Sequence, residues 1–426
     1  MTETVGADRS VEHHLDALVE GAHDSYRRAR PRSADADRRA RLVMPGGNTR
    51  SVLDFAPFPF RVASAAGAEL VDVDGHRYVD FCGNYTAGLL GHSPSGIREA
   101  IGATLDAGWA IGATHEREIE LAELVCERFP TIERVRFTNS GTEANLMAIG
   151  TALHHTGRPT VGVFERAYHG GVLGFGPRAD GPHHPLNVPH RFHVVPFDDD
   201  GALDDLFADE TLGCVVVEAV QGSGGCRPAR PEWLAEVRRR CDERAVVLII
   251  DEVMTSRLAP GGAQERYGVR ADLTTLGKYL GGGMTFGAFG GRADLMAAFD
   301  PSQGGALTQA GTFNNNVVSM TAAIAALRHE LDPARIRAVN ELGDDLRGRL
   351  DAVLDDTTMS VTGLGSMLSL HAADDRQLDL LFHHLLADGL YVARRGFMAL
   401  SVEITPEHCR RLVESVGKWV ERHAGA

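Results

Sequence analysis

The order of apolar and polar residues changes along the chain and indicates where different structural elements lie. Near the N-terminus, Leu15, Leu18 and Val19 share one helix face, which predicts an arm or surface helix. The later stretch LVDVDGHRYVDF alternates apolar and polar residues around Asp74-Gly75, the pattern of a β-hairpin. We expect this hairpin to mark the entry into the main domain.

The central part of the chain has the sequence pattern of an α/β protein. Between about 97 and 276, helical periodicity alternates repeatedly with short runs rich in Val and Ile. Strands that alternate with helices pair in parallel, because each helix returns the chain to the same end of the sheet. We therefore predict a mostly parallel sheet with helices packed on it.

After about residue 332 the pattern becomes that of a smaller α+β domain. Two long amphipathic stretches, 336–354 and 378–386, are interspersed with strand candidates at 367–371 and 398–402. A chain of 426 residues is long enough for two domains of unequal size. The predicted division is an N-terminal arm with part of the small domain (1–75), a large domain (76–330) and a C-terminal small domain (331–426).

Three strand ends bring chemically distinct residues to one edge of the predicted sheet. The strand VVVE, the helix PEWLAEVRRRCDER and the strand VVLIID form a βαβ unit, so Glu218 and Asp251 both follow carboxyl ends of strands. By the same argument, DLTTLG leads into Lys278. Ligands of open α/β sheets bind at this edge.

The third strand end leads into a turn that suits a phosphate group. The strand RVRFTN continues into Ser140-Gly141-Thr142 and then into a helix. Glycine permits close approach of the backbone, and the helix start presents unpaired N–H groups and a positive dipole end. Each of these signals is weak alone, since such a turn is usually only a helix cap.

The combination fits the demands of pyridoxal phosphate. A lysine such as Lys278 holds an aldehyde cofactor as a Schiff base, and a carboxylate such as Asp251 keeps a pyridine nitrogen protonated. The helix start anchors the phosphate. We therefore predict that Lys278 and Asp251 are the catalytic residues.

Composition narrows the range of partners. The formal net charge of −15 disfavours binding to a nucleic-acid backbone, and a small-molecule substrate is expected instead. No apolar run has the length of a membrane span, and the six cysteines lack a CxxC spacing. We expect a cytoplasmic protein with reduced thiols, no structural metal and no membrane contact.

Five stretches together resemble class III aminotransferases of the glutamate-1-semialdehyde aminomutase group. The resemblance runs from about Arg41 to about Val402. It depends on FTNSGTEANLMA (137–148), AYHGG (167–171), DEVMTSRLAPGG (251–262), TTLGKYLGGGMTFGAFGGR (274–292) and AGTFNNN (310–316). It implies the type I pyridoxal-phosphate fold, with a mostly parallel seven-stranded sheet in the large domain, and a homodimer with shared active sites.

The resemblance also implies a role for individual residues. Lys278 would bind the cofactor covalently and Asp251 would pair with the pyridine nitrogen. Val253 and Tyr168 would lie against the two ring faces. The remaining implied cofactor-binding residues are Ser140, Gly141, Thr142 and Glu218, with Thr312 reaching the phosphate of the partner subunit.

Within that group, the chain is similar to aminotransferases of aromatic β-amino acids such as β-phenylalanine. MPGGNTRSVLDFAPFPF, NYTAG and RRGFMALS carry this similarity, and they imply that Arg50, Tyr85 and Arg395 contact the substrate. A planar guanidinium suits a carboxylate because it can donate two parallel hydrogen bonds. Asn84 stands where that subgroup tends to have Glu and Arg394 where it has Pro, so either Arg394 or Arg395 is a candidate for the contact.

The predicted function is transamination between a β-amino acid and a keto acid such as 2-oxoglutarate or pyruvate. One alternative keeps the cofactor but shifts an amino group within one molecule, as a glutamate-1-semialdehyde 2,1-aminomutase does. A remote alternative is a non-catalytic regulator that binds pyridoxal phosphate, but the chain shows no DNA-binding segment before the domain and retains the lysine.

Overall fold

The computed structural model describes residues 4–176 and 184–423 and divides into two compact units. One unit comprises the residues up to Tyr85, the segment Gly91–Pro94 and the residues from Glu341 onward. The other comprises Thr86–Leu90 and Ser95–Asn340.

Helices and strands alternate through most of the described chain. The helices are α1 (Thr4–Ala29), α2 (Pro31–Arg41), α3 (Ser95–Ala107), α4 (Glu116–Arg128), α5 (Gly141–Thr156), α6 (Asp200–Ala208), α7 (Pro231–Arg244), α8 (Gly262–Tyr267), α9 (Ala293–Met296), α10 (Val317–Ala325), α11 (Pro333–Leu354), α12 (Asp375–Ala387) and α13 (Pro406–His423). The strands are β1 (Val62–Ala66), β2 (Glu69–Asp72), β3 (Arg77–Asp80), β4 (Arg134–Thr138), β5 (Thr160–Phe164), β6 (Arg191–Val195), β7 (Leu212–Val217), β8 (Val220–Gln221), β9 (Arg227–Pro228), β10 (Val247–Asp251), β11 (Leu273–Gly277), β12 (Gly287–Gly291), β13 (Ser360–Leu364), β14 (Met367–His371), β15 (Leu390–Tyr391) and β16 (Phe397–Ala399).

A seven-stranded sheet in the order β4-β12-β11-β10-β7-β5-β6 organises the second unit. The pairs β11/β10, β10/β7, β7/β5 and β5/β6 are parallel, whereas β12 is antiparallel to both of its neighbours. The predicted α/β fold with a mostly parallel sheet is therefore confirmed. The reversed strand β12 was not predicted. Its sequence, GAFGG, is rich in glycine, and a Cβ at Gly287 would overlap the carbonyl oxygen of Ser140.

Helix α5 packs on the central strands of this sheet through small residues. Ala144, Ala148 and Ala152 are fully buried against β-branched strand residues such as Val163 and Val216. The helix begins at a Ser140 cap, whose side chain accepts a hydrogen bond from the N–H of Glu143, and it ends at Gly157, whose φ is 64°. The sequence therefore determines both ends of the helix that leads away from the predicted site.

The first unit contains the predicted hairpin and the C-terminal α+β elements. Strands β2 and β3 pair antiparallel across the turn at Asp74-Gly75, and β15 joins β3 in parallel. Strands β13, β14 and β16 form a separate antiparallel sheet. The strand predicted at 398–402 is wrong in its bounds, because the observed strand is Phe397–Ala399 and the chain enters a turn at 402–403.

None of the helices in the described part of the chain is both long and apolar enough to cross a membrane.

Two glycines of helix α11 predict opposite effects of substitution by alanine. A Cβ at Gly343 would overlap the backbone of Gly365, whereas one at Gly348 would meet nothing within 4 Å. We expect Gly343→Ala to lower the free energy of unfolding by about 1–3 kcal/mol through overpacking. We expect Gly348→Ala to raise it by about 0.5–1 kcal/mol, because alanine favours the helix. Thermal denaturation of both variants checks this, and equal Tm shifts would contradict it.

Candidate active site

A cavity of about 140 Å³ lies at the carboxyl edge of the seven-stranded sheet. Strands β10 and β11 and the start of helix α5 contribute to its wall. The lining residues are Gly141, Thr142, Asn145, Tyr168, His169, Gly170, Glu218, Asp251, Val253, Met254 and Lys278. The structure thus brings most of the predicted cofactor-binding residues together, with the exceptions of Ser140 and Thr312.

Asp251, the last residue of β10, presents a buried carboxylate to this cavity. Its Oδ2 accepts hydrogen bonds from Asn145 Nδ2 at 2.9 Å and from His169 Nδ1 at 2.8 Å. Its Oδ1 accepts one from the backbone N–H of Val253 at 2.9 Å. Only 3% of Asp251 is exposed, so these donors replace the water that a charged carboxylate would otherwise require.

His169 forms its hydrogen bond to Asp251 through one of its two ring nitrogens. Burial alone would lower the pKa of His169, but the hydrogen bond to Asp251 and its charge outweigh burial, and the pKa is raised. The Nδ1 atom therefore carries a hydrogen and donates to the carboxylate. The opposite ring nitrogen, Nε2, is buried and has no hydrogen-bond partner among the residues that the structure describes.

Glu218 follows β7 and is a second buried carboxyl group in the cavity. It accepts hydrogen bonds from the backbone N–H groups of Tyr168 and Gly222, both at 3.1 Å. The pKa of Glu218 is raised to about 7. Burial is the main cause, the charge of His169 partly opposes it, and the charge of Asp251 adds to it. This group therefore changes protonation near neutral pH.

Lys278 directly follows β11 and lies in the same cavity, half-buried. Its φ is 54°, in the left-handed region that residues with a Cβ seldom adopt. Such a conformation persists only where the surrounding structure enforces it, and it is found preferentially at functional sites. The backbone conformation that places the Lys278 side chain in the cavity is therefore strained.

The start of helix α5 forms a close-fitting wall of the cavity. A Cβ at Gly141 would come within 2.7 Å of Val253, and one at Gly170 would overlap Thr142. The N–H of Gly171 donates to Thr142 Oγ1 at 3.2 Å. Glycine at these two positions allows backbone from three segments to converge on one point, as a phosphate group at a helix start requires.

Two predicted cofactor contacts lie outside the lining of this cavity. The hydroxyl group of Ser140 accepts a hydrogen bond from Glu143 N at 3.2 Å and so serves as a helix cap. Thr312 lies exposed in the loop before α10. Its predicted contact is to a partner subunit's phosphate. That Thr312 does not line the cavity of its own chain therefore does not test this prediction.

The predicted substrate residues cluster in the first unit around the ring of Tyr85. The guanidinium carbons of Arg50 and Arg395 lie 5.6 and 5.5 Å from the ring centroid. Tyr85 donates its hydroxyl hydrogen to the carbonyl oxygen of Val52 at 2.9 Å and stacks on Phe397. The ring is therefore fixed between two exposed cations.

Arg394 lies in a different environment from Arg395. Its Nε donates to Asp379 Oδ1 at 2.7 Å, and the other oxygen of that buried carboxylate contacts His23 Nε2 at 2.7 Å. The charge of Arg394 is thus paired within the unit. Of the two neighbouring arginines, Arg395 lies beside Tyr85 and Arg394 does not, so Arg395 is the better candidate for a substrate contact.

Four residues of the cavity lining were not predicted from the sequence, namely Asn145, His169, Gly170 and Met254. Asn145 is 1% exposed, and its two Nδ2 hydrogens are shared among three acceptors, Asp251 Oδ2 and the carbonyl oxygens of Gly141 and His169. Its Oδ1 accepts a hydrogen bond from Thr275 Oγ1 at 2.9 Å. Its position four residues after Gly141 was the available signal, because that spacing returns a side chain to the same helix face. His169 was included in AYHGG but was not singled out.

The cavity fits pyridoxal phosphate on three observations of this chain. Lys278 supplies an amine, Asp251 supplies a carboxylate fixed by three donors, and the α5 start supplies a glycine-lined seat. The same wall contains the buried Nε2 atom of His169, which has no partner within residues 4–176 and 184–423. These residues meet the needs of an amine-reactive aldehyde with a cationic ring and a phosphate.

Comparison with known proteins agrees with this chemistry. The model of the family described as aminotransferase class-III matches residues 54–419. A β-phenylalanine transaminase from Variovorax paradoxus is 45% identical over 96% of this chain and 97% of its own length. A glutamate-1-semialdehyde 2,1-aminomutase from Methanobrevibacter smithii is 36% identical over 86% of this chain and 92% of its own.

Solved structures show the same fold. The crystal structure of a β-phenylalanine aminotransferase from Variovorax paradoxus superposes with a TM-score of 0.93 at 44% identity, covering 96% of this chain and 98% of the other. The similarity therefore extends over both compact units.

Replacing Glu218 by glutamine tests the titration of this buried carboxyl group in the protein without cofactor. The pKa of Glu218 in the folded protein, about 7, lies above the ordinary value of 4.5. Protonation of Glu218 therefore stabilises the fold fully below pH 4.5, and this stabilisation is lost as the pH rises through about 7. Glutamine does not titrate, although its amide leaves one of the two N–H donors without an acceptor. We expect the Tm advantage of the wild type over Glu218→Gln to be largest near pH ~5 and to shrink toward pH ~8. A constant difference, measured by scanning fluorimetry, would contradict the raised pKa.

Proposed function

The chain belongs to the class III aminotransferase family, whose members use pyridoxal phosphate, and from that premise we propose that it transfers an amino group from a β-amino acid to a keto acid. The observation that carries this proposal is the convergence of Lys278, Asp251 and the α5 start on one cavity. The named activity of the Variovorax paradoxus relative supports the choice of a β-amino acid.

The proposed roles follow from the chemistry of each side chain. Pyridoxal phosphate, when bound, supplies an electron sink for the carbanion formed at the carbon that carries the amine. Lys278 Nζ would remove the proton from that carbon and pass it to the cofactor, so that the amine stays on the cofactor when water releases the keto acid. The carboxylate of Asp251 would hold a proton on the ring nitrogen. His169 orients that carboxylate through its Nδ1–H.

We further propose that Arg50 and Arg395 bind the carboxylate of the substrate. Both are exposed cations beside the fixed ring of Tyr85. Two guanidinium groups that lie near one fixed side chain are suited to bind a carboxylate, because each can donate parallel hydrogen bonds to it. Assays with a panel of substrates identify the particular amino donor and keto acid acceptor.

A homodimer and a cytoplasmic location complete the proposal. Large apolar side chains on the second unit are exposed, with Trp109 at 52% and Phe313 at 65%. Their two segments are linked, because His115 Nε2 contacts Asn315 O at 2.7 Å and Asn315 Nδ2 donates to Ala113 O at 3.3 Å. Exposed apolar surface of this kind is typical of an interface. Thr312, in the same loop as Phe313, is proposed to reach the partner's phosphate.

Acceptor dependence tests the reaction type. With β-phenylalanine alone we expect one equivalent of keto product per subunit, because the amine remains on the enzyme until a keto acid removes it. Adding 2-oxoglutarate or pyruvate should restore turnover with ping-pong kinetics. Lys278→Ala should abolish product release in both conditions while retaining the fold. Conversion of glutamate-1-semialdehyde without any acceptor, with no product from β-amino acids, would instead establish an aminomutase.

Truncating the two arginines tests the carboxylate site. We expect Arg50→Ala and Arg395→Ala each to lower kcat/KM for β-phenylalanine by about tenfold to a hundredfold, since a hydrogen bond to a charged group contributes about 1.5–3 kcal/mol. Arg394→Ala is the matched control and should change kcat/KM much less, because Arg394 is paired with Asp379. Unchanged kcat/KM in both test variants would show that other groups bind the carboxylate.

A further inference from the structure

The turn that carries Tyr85 has an unusual backbone. Gly83, Asn84, Tyr85 and Thr86 have φ values of 53°, 46°, 52° and 77°, so four successive residues have a positive φ. Asn84 and Tyr85, with ψ values of 43° and 51°, adopt the left-handed helical conformation. For residues with a Cβ this conformation costs about 1–2 kcal/mol each. Glycine accepts it freely and asparagine tolerates it better than most residues, which accounts for the first two positions. Strain of this kind is retained where it positions something.

The side chain positioned by this turn is the guanidinium of Arg50. Its Nη1 donates to Asn84 Oδ1 at 2.8 Å. A guanidinium has only donors, so the atom facing it is the amide oxygen and not the amide nitrogen. The backbone N–H of Arg50 is held separately by Asn48 Oδ1 at 3.0 Å. Arg50 is therefore oriented at both its backbone and its head group by neutral amides.

The neutrality of Asn84 has a chemical consequence. A carboxylate at this place would also accept the hydrogen bond, but it would pair with the charge of Arg50 and repel an approaching anion. An amide fixes the direction of the guanidinium and leaves its full positive charge available. The β-amino-acid aminotransferases that this chain resembles tend to have Glu at this position, so a neutral residue is not required for a carboxylate to bind. Resting on the proposed function of Arg50, we propose that Asn84 is a specificity-determining residue that keeps Arg50 oriented and un-neutralised and thereby strengthens the preference of the site for amines that carry a carboxylate.

Two substitutions separate charge from orientation without breaking the turn. Asn84→Asp keeps the size and the tolerance for positive φ but adds a negative charge. Asn84→Gly keeps the backbone conformation and removes the acceptor. Each is assayed with β-phenylalanine and with 1-phenylethylamine, an arylalkylamine without a carboxylate. The selectivity is the ratio of the two kcat/KM values.

We expect Asn84→Asp to lower this selectivity on the order of tenfold, and Asn84→Gly to lower it by a smaller factor. The loss in Asn84→Asp should diminish as salt is added, because exposed charges are screened. In an Arg50→Ala background, Asn84→Asp should have little further effect, since the two side chains act through one contact. A direct binding measurement, the Tm shift produced by 3-phenylpropanoate, should follow the same order of variants.

The outcomes distinguish this inference from the function on which it rests. If Arg50→Ala leaves both the selectivity and the 3-phenylpropanoate shift unchanged, the proposed carboxylate site itself is wrong. If Arg50→Ala lowers both but Asn84→Asp remains within about twofold of the wild type, only the role of Asn84 is overturned. A loss in Asn84→Gly as large as that in Asn84→Asp would also overturn it, because charge would then play no part.

Discussion

A negative charge buried at the end of a parallel strand is the constraint on which the site depends. Asp251 has lost almost all contact with solvent, and a carboxylate in that position is stable only where donors replace water. Its three donors come from helix α5, from the segment after β5 and from the chain just past β10. Meeting this one requirement therefore fixes three separate parts of the cavity wall relative to one another.

Asn145 extends that constraint into the rest of the sheet. Its two amide hydrogens are shared among Asp251 and two carbonyl oxygens, while its oxygen accepts a hydrogen bond from Thr275 in β11. Strand β11 ends one residue before Lys278. A single amide thus links the helix start, the carboxylate strand and the lysine strand, and the relative positions of these three depend on a residue that contributes no chemistry of its own.

Much of this arrangement could be predicted from the sequence because it depends on local periodicity. The βαβ unit places Glu218 and Asp251 at one edge, and the strand before Lys278 follows the same rule. The reversed strand β12 could not be predicted, because its pairing is decided by distant neighbours. The role of Asn145 could not be predicted for a related reason. A polar residue in a helix is ordinarily expected to face solvent, and only long-range contacts account for the burial of Asn145. The raised pKa of Glu218 likewise depends on the packing around it.

The left-handed backbone at Lys278 also bears on how this chain has been selected. A lysine is poorly suited to that conformation, and glycine or asparagine would occupy the same backbone at lower conformational cost. Selection for thermal stability alone would not retain lysine there. The position thus represents a trade-off between activity and stability, in which the fold tolerates a less favourable residue because the reaction needs its amine. Stability-based screening of variants would accordingly tend to discard the residue that the chemistry most requires.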